Sequence, residues 1–150
     1  RIAQLPNVRA IKIPGVPSNA AEARARVAKL RALIPARVAI GVSNDPYAST
    51  GLNAGCDAWF SVLGGTYPAR AVELTRAALA GDAAGATKVS DELEPLWAFF
   101  RRHGSVRVIA AAAEMGGIAC KEGCLPLPLK SIQGEERTKL AAALKDLKLE

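Results

Sequence analysis

Three times in the first 81 residues a short apolar run is followed by a polar or glycine-rich turn and then a segment of helical periodicity. That alternation constrains the fold more than any other feature of the chain. The first run, Val8-Arg9-Ala10-Ile11-Lys12-Ile13, lies between Pro6-Asn7 and Pro14-Gly15. Behind it, Asn19 and Glu22 have capping-box spacing, Ala23, Val27, Leu30 and Ile34 recur on one helical face, and Pro35 ends the segment. Val38-Ala39-Ile40 opens the second unit, with the loop Gly41-Val42-Ser43-Asn44-Asp45-Pro46 and a short helix expected over 47–54, stopped by Gly55. Ala58-Trp59-Phe60-Ser61-Val62 opens the third, with the turn Leu63-Gly64-Gly65-Thr66 and a helix begun by Pro68 and ended before Gly81.

Alternating strand–helix units imply an α/β fold with a parallel sheet and right-handed crossovers. Three parallel strands cannot cover both sheet faces or close their own edges. The chain opens on Arg1 rather than Met, so further strands are expected upstream. From Asp82 onward the pattern is helical only. Val89, Leu93, Leu96 and Phe100 share a face of one long expected helix kinked at Pro95, Ser105 caps the next, 118–133 reads as a loop, and a last amphipathic helix covers 135–147. Residues 1–81 are therefore expected to form three strand–helix units and 82–150 a helical extension of the same body.

Composition removes several function classes. The net charge is +6, from 20 basic and 14 acidic residues, but the basic residues are interleaved with Glu and Asp along helical patterns. Aromatic residues are 5% and do not alternate with Lys or Arg, so no nucleic-acid surface is expected. No apolar run approaches the ~18 residues of a membrane span. Cys56, Cys120 and Cys124 are too few and too odd in number for a disulfide scaffold, which fits a reducing, cytoplasmic setting. Cys120 and Cys124 with the lone His103 do not make a zinc set, so no metal is expected and the pair reads as loop thiols.

Lys12 is the residue with chemical potential. Strand alternation sets it on the side of Ala10, opposite Ile11 and Ile13. If the isoleucines meet the helices, Lys12 faces the sheet's other, inner surface, where desolvation disfavours the ammonium form. A neutral amine attacks a carbonyl to give a Schiff base, an electron sink for making or breaking carbon–carbon bonds. A strand-end lysine that reaches solvent is the structural alternative. The loops after the second and third strands, Ser43-Asn44-Asp45 and Leu63-Gly64-Gly65-Thr66, open on the same side as Lys12. Gly64-Gly65 before a helix fits either a phosphate cradle or a tight turn.

With those residues in view, the chain resembles the dihydrodipicolinate synthase / N-acetylneuraminate lyase family. Asn7-Val8-Arg9-Ala10-Ile11-Lys12 is similar to that family's lysine-bearing sixth strand, Gly55-Cys56-Asp57-Ala58-Trp59-Phe60-Ser61-Val62 to its eighth strand, and Ala77-Ala78-Leu79-Ala80-Gly81-Asp82 to the helix junction that follows. The similarity runs over residues 5–132. It implies the C-terminal part of a TIM (β/α)8 barrel, strands six to eight, followed by a helical extension. It also implies a pyruvate-type class I aldolase or lyase without metal or organic cofactor, assembled as a dimer or tetramer. Lys12 is then expected to form the imine, Ser43, Asn44 and Asp45 to contact the second substrate, an aldehyde, and Phe60 and Val62 to line the pocket near the imine. The proton-relay tyrosine and the loop that grips the pyruvate carboxylate would belong to the missing N-terminal half. A 2-keto-3-deoxy sugar-acid dehydratase, a phosphate-ligand barrel and a non-catalytic keto-acid binder remain as alternatives.

Two departures touch the pocket. After its lysine the family commonly carries an acidic or small residue and a Ser/Thr-Gly-Asp-like turn, whereas this chain has Ile13-Pro14-Gly15-Val16-Pro17. Where the family often has glycine in the strand-seven loop, Ser43 is expected to stand. Both point to a second substrate other than aspartate semialdehyde.

Overall fold

The computed structural model describes residues 1–119 and 124–149. Three short parallel strands, β1 (Ala10–Ile13), β2 (Ala39–Val42) and β3 (Ala58–Trp59), make one sheet in the order β1-β2-β3. Helices α1 (Ala20–Leu33), α2 (Ala48–Asn53) and α3 (Pro68–Leu79) follow the strands in turn. α4 (Ala83–Glu92), α5 (Glu94–His103), α6 (Ser105–Met115) and α7 (Gly134–Asp146) complete the chain.

Local chemistry accounts for most boundaries. Asn19 Oδ1 accepts from the N–H groups of Ala21 and Glu22 and starts α1. Pro68 begins α3, where its missing N–H costs no helical hydrogen bond. Asp82 Oδ1 accepts from the Gly85 N–H at 2.8 Å and starts α4. Gly55 and Gly81 take φ of 103° and 85° just beyond α2 and α3, a region costly for side chains with a Cβ.

The long helix expected after Asp82 is two helices. Proline has no N–H to donate, and its ring crowds the carbonyl four residues back, so the ladder stops at Leu93 and restarts with Pro95 in the first turn of α5. The expected helix cap at Ser105 also shifts: Gly104, with φ 82°, is the capping residue and Ser105 is the first helical one. Of the paired loop thiols, Cys120 lies outside the described residues, and Cys124 is exposed and unbridged.

The outward face of the sheet is the packed one. Ile13, Ile40 and Val42 are buried there, and Ile11 packs against the same core. That core continues through Leu63 and Leu74 into Leu93, Leu96, Trp97 and Phe100, and on to Leu140 and Leu144 of α7. The helices beyond α3 thus share one apolar interior with the strand–helix units. Trp97 fills its centre, and its indole N–H donates to the Ser90 carbonyl at 2.9 Å.

At the end of the sheet where the strands begin, Asp57 joins three elements. Its Oδ2 accepts from the Ile40 N–H at 2.7 Å and pairs with Arg31 of α1, whose guanidinium also donates to the Val38 carbonyl. Burial pushes the Asp57 carboxyl up, but the Ile40 N–H and the Arg31 guanidinium outweigh it and hold the group below its ordinary range. No helix among the described residues is long and apolar enough to cross a membrane.

Candidate functional site

The parallel register sets Lys12 beside Gly41 and Gly41 beside Ala58, one row across the uncovered face of the sheet. Lys12 is on the face opposite Ile13, as its strand alternation requires. Its surroundings differ from the expectation in one respect: the side chain is exposed, because no described element covers this face. Three strands cannot wrap around their own inner surface, so the described residues do not supply the desolvation expected for Lys12.

Phe60 shapes the row. Its backbone N–H donates to the Val42 carbonyl at 2.8 Å, and its ring lies over Gly41. A methyl group at position 41 would stand 2.2 Å from the ring, well inside contact distance. Gly41 is therefore the floor on which Phe60 rests. Lys12 Nζ is 6.0 Å from the ring centroid, at the outer range of cation–π attraction. The lysine, the glycine and the aromatic ring form one contiguous patch.

The three loop residues after β2 have three different environments. Ser43 joins strand ends: both its N–H, at 2.9 Å, and its hydroxyl, at 2.7 Å, donate to the Ile13 carbonyl. Asn44 is exposed and takes a left-handed φ of 71°, so the glycine-like backbone position of this loop is Asn44 and not Ser43. Asp45 is 2% exposed. Its carboxylate accepts from Trp59 Nε1 at 3.2 Å, Ser61 Oγ at 3.4 Å, the Val62 N–H at 3.1 Å and the Leu63 N–H at 2.7 Å. With its oxygens so engaged, Asp45 faces the neighbouring loop rather than the open face.

Those same bonds end the third strand early. Alternation was expected to continue to Val62, but the Val62 and Leu63 N–H groups turn toward Asp45 and the chain enters a 3-10 turn, Leu63–Gly65. Val62 is half-buried and packs against the core. Gly64 donates to Ser61 Oγ at 2.8 Å and Gly65 to the Val62 carbonyl at 3.4 Å. Both N–H groups that would cradle a phosphate are thus used inside the turn, and the tight-turn reading describes Gly64-Gly65.

The rim after Lys12 is closed by packing. Val16 is buried, and a methyl group at Gly15 would stand 2.7 Å from the Tyr47 ring, which lies directly on the turn. Pro14 and Pro17 contribute no N–H donors there. Gly15, Gly41 and Tyr47 were not singled out from sequence. An isolated glycine inside an apolar strand run, as at Gly41, is the signal of a close approach that was available.

Elsewhere, Glu114 is buried and accepts from Arg137 Nη1 at 3.0 Å and from the Ser131 hydroxyl at 3.4 Å, fastening α6 to α7. His103 Nε2 meets Glu136 Oε2 at 2.8 Å. Among the described residues no three His, Cys, Asp or Glu side chains converge on a metal-sized position.

Residues 1–147 match the sequence model of the dihydrodipicolinate synthetase family. No curated protein matches the chain. Among solved structures, dihydrodipicolinate synthase from Agrobacterium tumefaciens is 38% identical with a TM-score of 0.88, over 97% of this chain and 48% of that one. The enzyme from Thermotoga maritima is 24% identical with a TM-score of 0.83, over 99% of this chain and 48% of that one. The enzyme from Aquifex aeolicus is 23% identical with a TM-score of 0.82, over the same shares of the two chains, 99% and 48%. The two lower identities show a shared fold. This chain spans about half the length of the solved structures it matches, corresponding to the C-terminal half of their TIM barrels.

Proposed function

The chain belongs to the dihydrodipicolinate synthetase family, and from that premise we propose that it carries the imine-forming half of a class I aldolase or lyase acting on pyruvate or a related 2-keto acid. Its strands are then the sixth to eighth of the barrel, residues 1–81 are barrel units, and 82–150 are the helical extension. The N-terminal half would supply the remaining strands.

One observation carries the reading: a lysine stands near the end of an apolar strand on the open face of a parallel sheet, in the same row as Gly41 and beside the Phe60 ring. In the proposed step the neutral Lys12 amine adds to the keto carbon of pyruvate. Loss of water from the carbinolamine leaves an iminium. Removal of a proton from the adjacent methyl then gives an enamine whose carbon attacks the aldehyde, and hydrolysis returns the amine. The residues that move those protons belong to the missing half. Phe60 bounds the space beside the amine, and Ser43 and Asn44 stand at the mouth toward the second substrate. No metal or organic cofactor enters this scheme, and the working assembly is taken as a cytoplasmic dimer or tetramer.

The second substrate follows from the rim. Pro14 and Pro17 remove N–H donors from the turn after Lys12, and Tyr47 packs on Gly15, so the rim is stiff and poor in hydrogen bonds. Loss of one placed polar contact costs about 1–3 kcal/mol, roughly tenfold to hundredfold in selectivity. Aspartate semialdehyde is therefore expected to be a poor partner, and another aldehyde or a 2-keto-3-deoxy sugar acid a better one.

The test uses the complete protein. Borohydride reduction in the presence of pyruvate should attach one reduced pyruvate unit at Lys12, and Lys12→Arg should abolish the adduct, since a guanidinium forms no imine. An adduct at Lys29 or Lys88 instead, or none at all, rules the reading out. Turnover of aspartate semialdehyde against other aldehydes and deoxy-sugar acids then decides the second substrate.

A further inference from the structure

Asp45 and Glu114 are the buried acidic side chains among the described residues. Glu114 has an arginine to answer it. Asp45 lies at the end of the sheet that carries Lys12, and the carbon chemistry proposed above gives it nothing to do.

Among the described residues, every group that donates to the Asp45 carboxylate flanks Phe60. Trp59 Nε1 precedes it, and Ser61 Oγ with the N–H groups of Val62 and Leu63 follows it. Among the described residues, Phe60 itself makes one hydrogen bond, from its backbone N–H to the Val42 carbonyl. The carboxylate thus grips the chain on both sides of a residue that is 42% exposed and whose ring rests on Gly41 and stands beside the Lys12 amine. A neutral side chain of the same shape offers one acceptor oxygen where the carboxylate offers two, and its amide hydrogens would confront N–H donors.

We propose that Asp45 is a positioning residue: by clamping the segment on both sides of Phe60 it fixes the aromatic ring beside Lys12, and it touches no substrate. The role rests on the Lys12 reading above. It differs from the role expected of Asp45 as a contact for the second substrate. A fixed ring limits the positions open to the lysine side chain, and a reacting amine held near its attack geometry reacts faster than one that must find it. Releasing the ring should slow imine formation while leaving the affinity for pyruvate largely unchanged.

The experiment is a double-variant cycle in the complete protein, read as the rate of borohydride-trapped pyruvate adduct against pyruvate concentration. Asp45→Asn should lower the limiting rate about tenfold, with little change in the half-saturating concentration. In a Phe60→Ala background the same substitution should have almost no further effect, because the ring through which Asp45 acts is gone. If Asp45→Asn does not yield folded protein, Trp59→Phe takes its place in the cycle; it removes one donor and should show a smaller loss that also vanishes without Phe60. A loss that persists in the Phe60→Ala background, no loss at all, or a loss confined to the half-saturating concentration overturns the positioning role. In each of those cases an adduct at Lys12 leaves the imine reading standing. Absence of any adduct in the unaltered protein removes the imine reading, and this one with it.

Discussion

Two aspartates tie β2 to the β3 segment at opposite ends of the sheet, and they are held in opposite ways. Asp57, where the strands begin, is half exposed and paired with the Arg31 guanidinium. Asp45, where they end, is 2% exposed and held by neutral donors only: an indole, a hydroxyl and two backbone N–H groups. The first arrangement resembles a surface ion pair, tolerant of loss because water can replace either partner. The second leaves several buried donors without acceptors if the carboxylate is removed. The end with the unforgiving arrangement is also the end with Lys12, Phe60 and the glycine-floored row.

The sharpest way to break that comparison is to remove the buried carboxylate. Asp45→Ala should destabilise the complete protein by roughly 3 kcal/mol, since buried N–H donors lose a charged acceptor. Denaturant midpoints measure it, and a loss no larger than that of Asp57→Asn would erase the asymmetry. Next in size is Gly41→Ala. The added methyl collides with the Phe60 ring, so the substitution should cost about 1–3 kcal/mol, and Phe60→Ala should recover most of it. Thermal melts of both variants and their combination decide the matter, and equal losses in the two backgrounds would mean that the ring is not what Gly41 accommodates.

At the other end Asp57→Asn should cost only about 0–1 kcal/mol, because the pair with Arg31 is largely solvated. Its signature is in the pH dependence. The folded carboxyl lies below its ordinary range, so its contribution is complete above about pH 4 and is lost as pH falls from there toward the depressed folded value. In that interval the unfolded chain binds the proton first. Denaturant midpoints taken through the acid range should therefore fall less steeply for Asp57→Asn than for the unaltered protein. The neighbouring Cys56 acts only in the alkaline range, with the opposite sign. Burial, helped by Asp57 and opposed by Arg31, pushes its thiol from 9.0 up to about 11. Between those values the unfolded thiol ionises first, so stability should decline as pH rises, and Cys56→Ala should flatten the decline. A slope unchanged by the substitution would assign the alkaline loss to other groups.

Much of this molecule could be read one residue at a time. The period-two and period-3.6 patterns gave three strand–helix units, and Asn19, Pro68, Gly55, Gly81 and Asp82 marked their limits, because helix caps and turns are satisfied within a few residues. The side of β1 on which Lys12 stands followed from strand alternation alone. Pro95 shows where local reading reached its limit: its missing N–H was visible, but whether a helix bends or ends there depends on how Leu93, Leu96 and Trp97 fill the core on either side. The site's finer layout was out of reach for the same kind of reason. Asp45 reads as a polar loop residue until the crossover through α2 brings Trp59 and the turn after β3 within hydrogen-bond distance. Gly41 reads as the first residue of a polar loop until the register places it in β2 and sets Phe60 upon it. Periodicity and capping are energies between near neighbours in the chain, and the sequence alone determines them. Which donor meets a buried carboxylate, and which ring covers a glycine, are decided by strands and loops brought together across the sheet, where only the tertiary structure sets the distances.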